Sequence, residues 1–185
     1  MKYNNLALNI LQENNVELTT NAFISPIRIS EIIKNYGITL KADRTFESVS
    51  GMYIPSINGI YIFVNANYHY NHMRFSMAHE LAHHVLGHTS YISVENSTHT
   101  IEVEANKMAA SILMPTIVMD ELAERKLDIY GMAQWLRVSP WAAAIRCHAL
   151  GLSVQSATNY LEQHRKQPKD KEIKYISHSN TFFST

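Results

Sequence analysis

The chain has 185 residues, 16 basic and 16 acidic side chains and no formal net charge. That fits one domain, or one domain with a small appendage, and leaves no electrostatic footprint for nucleic acid or an anionic membrane. Its single cysteine, Cys147, excludes an intrachain disulfide and suits a reducing compartment. Met1 to Asn5 lack the apolar run and cleavage site of a signal peptide. No apolar stretch reaches bilayer-spanning length, so a soluble cytoplasmic protein is expected, with Cys147 as a small buried residue on a helix.

In chain order, Leu6, Ile10 and Leu11 predict a helix over roughly Asn5 to Asn14. Ser25-Pro26 reads as the start of a second, with Ile29, Ile32 and Ile33 on one face and Gly37 as its stop. Ile38 to Leu40, Val49 to Ile54 and Ile60 to Val64 read as three strands, the last two joined through the turn signal Asn58-Gly59. From about Asn71 to Leu86 the pattern is helical, and Gly87 ends it. The stretch Thr89 to Thr100 is polar. A long helix then runs over about Ile101 to Leu113, with Ile101, Ala105, Met108 and Ile112 as its buried stripe.

Pro115 breaks that helix and can open the next, which carries Ile117, Val118, Leu122 and Ala123. Two shorter helices follow, near Ile129 to Leu136 and Pro140 to Leu150, the second bounded by Ser139-Pro140 and Gly151. Trp135, Leu136, Trp141 and Ile145 are expected to pack against the preceding part. The polar tail begins near Gln163. A division into residues 1–115, 116–162 and 163–185 follows: a core, a helical subdomain and a tail.

Seven of the ten histidines fall between His69 and His99, which points to a site. Within that run, His79-Glu80-Leu81-Ala82-His83 is an H-E-x-x-H sequence. Residues four apart on a helix lie one turn apart on one face, so two imidazoles can hold one zinc ion from the same side. Glu80 sits beside that face, within reach of a water whose pKa zinc lowers, and can take its proton as the water attacks a carbonyl. The motif lies inside a well-formed helical pattern with apolar neighbours at Phe75, Ala78, Ala82 and Val85, and it follows a predicted sheet.

A catalytic zinc site needs a third protein ligand and an open position. The metzincin pattern would require a glycine at position 86 and a histidine at position 89, where the chain has Leu86 and Thr89. Glu95, His99, Glu102 and Glu104 remain as candidates. Glu102 is favoured: it opens the next helix nineteen residues beyond His83, and Asn106 one turn on can orient a ligand histidine. Glu104 points about 200° away around the helix, so the two are alternatives. His84 reads as a surface or supporting residue. His69, His72, His88 and His99 read as polar loop or helix-end residues. One of Tyr53, Tyr61, Tyr68, Tyr70 or His72 is a candidate to stabilise an oxyanion.

Arg74 to His83 resembles the R-F-[ST]-x-A-H-E-x-x-H core of the ImmA/IrrE metallopeptidases. Ile101 to Asn106 followed by Ala109 to Pro115 resembles that family's E-x-x-x-N stretch running into A-A-x-L-L-M-P. Val138 to Arg146 and Leu150 to Leu152 resemble its C-terminal helical part, so the likeness spans roughly residues 25 to 152. The resemblance implies an α+β, zincin-like fold: a small, mainly antiparallel three-stranded sheet packed on the active-site helix, followed by a helix-turn-helix-like part. It implies one Zn2+ held by His79, His83 and Glu102, with Glu80 as general base. The implied activity is a zinc endopeptidase that cuts helix-turn-helix repressors to release stress-response or mobile-element genes. A non-proteolytic zinc-binding partner of a DNA-binding regulator is the alternative. Direct DNA binding is not expected, because Pro140 to Leu150 offers only Arg146 and His148 as long polar side chains.

Overall fold

The computed structural model describes residues 2–18, 26–88 and 95–164. Its elements are α1 (Lys2–Glu13), α2 (Ile29–Asn35), β1 (Thr39–Asp43), β2 (Gly51–Ser56), β3 (Gly59–Asn65), α3 (Tyr70–Val85), α4 (Glu95–Leu113), α5 (Thr116–Glu124), α6 (Ile129–Leu136), α7 (Pro140–Leu150) and α8 (Gln155–His164). The protein is α+β. Among the described residues no helix is long and apolar enough to cross a membrane.

The sheet has the order β1-β3-β2, with β1 parallel to β3 and β2 antiparallel to it. It is therefore mixed, which corrects the expectation of a mainly antiparallel sheet. The reason lies in composition. β3 carries the fully buried Ile62 and Val64 and takes the centre. β1, Thr-Leu-Lys-Ala-Asp, is polar and suits an edge. The hairpin forces β2 antiparallel to β3, so the remaining edge falls to β1. The hairpin tip is Ile57-Asn58, with Ser56 paired to Gly59 at φ +130°, so Asn-Gly is displaced one residue from the tip.

Ser50 O accepts from Asn65 N at 3.0 Å, which sets the phase of the β2–β3 ladder. Two-residue alternation then turns the backbone groups of Gly51, Tyr53 and Pro55 away from β3, toward the edge of β2 that no strand among the described residues covers. Pro55 sits where no N–H is needed.

α3 packs most extensively on α4, and its other side faces β2 and β3. Ala78, Leu81 and Ala82 of α3 meet Ala105, Met108, Ala109 and Ile112 of α4 in one core. The small residues on both helices let the two backbones approach. α1 lies on α4 through Ala7, Ile10 and Leu11. Buried Arg74 ties α3 to its surroundings: Nη1 donates to Ile27 O at 2.7 Å and Nε to Arg137 O at 3.3 Å. The bond to Ile27 holds the 26–28 segment out of the helix, so α2 starts at Ile29 rather than at Pro26; Ser25 lies outside the described residues.

α4 begins six residues earlier than the apolar stripe indicates. No glycine or proline interrupts residues 95–100, and weak helix formers such as Asn, Ser and Thr do not stop a long helix. α6 and α7 begin as their sequences require: Asp128 Oδ1 accepts from Gly131 N at 2.7 Å, and Ser139 Oγ from Ala142 N at 3.1 Å. α7 buries Ala143, Ala144, Arg146 and Cys147, while Trp141 and Ile145 are each 45 % exposed. The expectation that these two large residues pack inward is thus reversed. Arg146 Nε instead donates to Met114 O at 3.0 Å, and its Nη2 to Asn4 Oδ1 at 3.0 Å. A residue so used does not reach a DNA groove. α8 lies beyond the helices the sequence pattern predicts; it buries Ala157, and Tyr160 and Leu161 pack against the core. The tail from residue 165 lies outside the described residues.

Candidate metal centre

His79 and His83 lie one turn apart on α3, fully or almost fully buried, and Glu102 approaches them from α4. Nε2 of His83 is 3.0 Å from Nε2 of His79. Glu102 Oε2 is 3.1 Å from His79 Nε2, and its Oε1 is 3.5 Å from His83 Nε2. One donor atom of each residue lies within 4.8 Å of the others. Burial alone would raise the pKa of Glu102, but hydrogen bonds and charge from His79 and His83 outweigh it and hold the carboxyl at about 2. It is a carboxylate at any physiological pH.

Outer partners set the ring tautomers. His79 Nδ1 is 3.1 Å from Asn106 Oδ1, one turn beyond Glu102. A carbonyl oxygen accepts, so Nδ1 carries the proton and Nε2 presents a lone pair to the centre. Burial keeps the His79 pKa below the usual imidazole range, consistent with a neutral ring. On His83 the corresponding Nδ1 lies 3.2 Å from Nδ1 of His88. Two converging imidazole nitrogens and a carboxylate form a donor set for a borderline divalent cation, and these residues fit one.

Glu80, next to the ligand face of α3, lies against Gly51 of β2. It is 3 % exposed, and its carboxylate accepts a hydrogen bond from the backbone of Tyr53. Burial, and then the charge of Glu102, raise its pKa well above the ordinary value. Room for it exists because residue 51 has no side chain: a Cβ there would lie 2.9 Å from Glu80 Oε1 and 3.2 Å from Phe63 O.

Glu104 is not in this group. It accepts from Tyr3 Oη at 2.6 Å and lies 3.5 Å from His88 Nε2. His99 is exposed, and the side chain of Glu95 lies outside the described residues. His84 sits edge-on to Tyr36 and Tyr53, with Nδ1 3.1 Å from Tyr53 Oη. His69 Nδ1 caps α3 by accepting from Asn71 N. Tyr68 stacks on His72 at 4.1 Å, and His72 Nε2 is 2.9 Å from Ser50 Oγ. Tyr61 Oη donates to Asn58 O at the hairpin, and Tyr70 lies against Arg74. Gly51 and His88 carry roles that the sequence reading missed. Gly51 had a readable signal, a glycine opening a strand, which often marks close approach of another group.

An α+β domain with a buried H-E-x-x-H helix facing a glutamate is a candidate metal-dependent hydrolase. Residues 39–148, more than half of the chain, match the family model of the IrrE N-terminal-like domain, Peptidase_M78, and the chain belongs to this peptidase family. No curated protein sequence matches it. Among solved structures, a Mycobacterium tuberculosis transcriptional regulator is similar in fold, with a TM-score of 0.59 at 15 % identity over 78 % of this chain. The chain spans 46 % of that regulator's length, and the likeness is one of fold alone.

Proposed function

We propose that this chain is a zincin-like, zinc-dependent endopeptidase whose metal is held by His79, His83 and Glu102 and whose general base is Glu80. The observation that carries the reading is the convergence of His79, His83 and Glu102 donor atoms within 4.8 Å, next to a buried Glu80. Two histidines and a glutamate leave a position open, as catalytic zinc sites do. Bound zinc supplies Lewis acidity toward a scissile carbonyl and lowers the pKa of water beside it.

The chain's own residues do the rest. Glu102 neutralises charge, and Asn106 fixes the His79 ring. A substrate segment pairs in extended form with the edge of β2 that no described strand covers, where the Gly51 backbone and the Tyr53 carbonyl are presented, the Tyr53 N–H being held by Glu80. The Ile60–Val64 strand cannot take this role, because β3 is central and has no free edge. A Glu80 carboxylate oxygen takes a proton from the attacking water and delivers it to the leaving amide nitrogen. Residues 1–115 carry this chemistry, and residues 116–162 brace it through Arg146 and Arg137.

The substrate class we propose is a helix-turn-helix repressor, which places the reaction in the cytoplasm. Family membership supports it. The test uses the zinc-loaded full chain and a helix-turn-helix repressor encoded beside it. The wild type cuts at one site, and Glu80→Gln keeps its zinc but loses about 10²–10⁴-fold in rate. Unchanged cleavage by the variant sinks the mechanism. A full biological effect from the uncutting variant favours a binding module instead.

A further inference from the structure

One chain of contacts runs from the N-terminal helix to the candidate metal ligand His83. Tyr3 Oη on α1 is 2.6 Å from Glu104 Oε1 on α4. Glu104 Oε2 is 3.5 Å from His88 Nε2. His88 Nδ1 is 3.2 Å from His83 Nδ1. We propose that Tyr3, Glu104 and His88 form a hydrogen-bonded relay that orients the His83 imidazole for the metal, which makes α1 part of the metal centre. The proposal rests on the reading of His83 as a ligand and goes beyond it by naming what holds that ligand.

With Glu104 ionised and the His88 ring neutral, hydrogen-bond polarity along the chain runs one way. An ionised carboxylate accepts and never donates. Tyr3 therefore donates its O–H to Glu104, and His88 donates its Nε2–H. A neutral His88 ring then has a bare Nδ1, which can only accept. His83 meets it with Nδ1–H, so its Nε2 is the bare nitrogen. That is the atom 3.0 Å from His79 Nε2 and 3.5 Å from Glu102 Oε1. The relay selects the tautomer a cation needs, as Asn106 does for His79. Two lone pairs facing each other repel unless a cation lies between them. A carboxylate behind a ligand imidazole is a general device for raising its basicity; here one more imidazole intervenes.

Local backbone geometry puts His88 in place. At the end of α3, Gly87 has φ +71°, His88 N donates to His83 O at 2.9 Å and Gly87 N to His84 O at 3.1 Å. This is a Schellman ending, which folds the residue after the left-handed glycine back over the last turn. The two rings meet edge to face, 5.2 Å between centroids.

A simpler role for Tyr3 and Glu104 is to staple α1 onto α4. That task already has other holders. Ala7, Ile10 and Leu11 are buried in the core, and Asn4 Oδ1 accepts from both Ser111 Oγ and Arg146 Nη2 at 3.0 Å. Losing the Tyr3 hydroxyl alone therefore leaves α1 seated.

The experiment measures Zn2+ affinity of the full chain by competition with a chromophoric chelator, together with urea unfolding of the metal-free form. His88→Phe removes the acceptor and is expected to weaken zinc binding by about 10–100-fold. Glu104→Gln loses about tenfold and Tyr3→Phe a few-fold, on the order of the lower end of that range. His88→Gln, whose amide oxygen accepts and whose NH2 donates, recovers most of the affinity. Metal-free unfolding midpoints of all four stay near the wild type. Affinities of His88→Phe and Glu104→Gln within about twofold of wild type overturn the relay, as does a His88→Gln variant no better than His88→Phe. If the position-88 variants fail to fold, Tyr3→Phe and Glu104→Gln decide it, and unchanged affinity in both overturns it. Reduced affinity in the variants with no peptide cleavage by the wild type supports the relay and sinks the peptidase reading. A wild type that takes up no zinc overturns both.

Discussion

A methyl group on Gly51 would begin 2.9 Å from Oε1 of Glu80 and 3.0 Å from its Cγ. β2 and α3 approach each other so closely that the proposed base occupies the space a side chain would fill. Gly51 is not among the residues of positive φ, so room, not backbone freedom, is what it supplies. The third neighbour, Phe63 O, belongs to the central strand and cannot step aside. Gly51→Ala is therefore expected to cost about 1–3 kcal/mol of stability, as overpacking does. It should also displace the Glu80 carboxylate and lower the cleavage rate while zinc stays bound. Urea unfolding, zinc content and turnover of the variant check this together. Wild-type stability and rate would show that the gap is not needed.

Asn106 offers a cleaner probe of the metal site, because its side-chain oxygen meets His79 at the ring nitrogen that faces away from the centre. Asn106→Leu keeps the volume and removes the acceptor, so His79 no longer has a preferred tautomer. Zinc affinity should fall by about 10–100-fold, the usual effect of deleting a partner behind a ligand. Asn106→Asp puts a carboxylate in the same place and should bind zinc at least as tightly as wild type. Chelator competition on the three proteins decides the matter; equal affinity for Asn and Leu at position 106 would refute it.

Much of this site was legible in the sequence because it is local. His79, Glu80 and His83 sit on one helix, and helix geometry fixes their relation without knowledge of the fold. Glu102 and Glu104 could be separated only in part, since spacing allows either to meet α3. The structure brings Glu102 to the histidines and turns Glu104 to Tyr3 and His88. His88 was opaque because its place depends on the backward fold after Gly87, and Tyr3 because it reaches Glu104 across 101 positions of sequence. Strand existence was readable from apolar runs, but strand order was not: period-two alternation says nothing about which edge pairs with which. α7 misled in another way. Its large residues Trp141 and Ile145 suggested a buried face, whereas close packing selected the small ones, Ala143, Ala144 and Cys147.

The burial of Glu80 has a consequence for stability that can be measured without any substrate. In the metal-free protein, burial first and the charge of Glu102 second raise its pKa well above 4.5. The folded state thus holds this proton more tightly than the unfolded chain does. Such a group contributes stability that is fully present below the unfolded value of 4.5 and is lost as pH rises through the folded pKa. Above that point folding must bury a carboxylate with only one backbone hydrogen bond to receive it. Glu80→Gln mimics the protonated form at every pH. It should approach the wild type toward acid, where both side chains are neutral, and exceed it as pH rises by a margin that grows until the folded-state pKa is passed and then levels off. Zinc, whose charge favours the carboxylate, should shrink that margin. Urea unfolding of chelator-treated wild type and Glu80→Gln between about pH 5 and about pH 9 measures the difference. Parallel stability profiles for the two proteins would mean that Glu80 titrates normally and is not the buried acid described here.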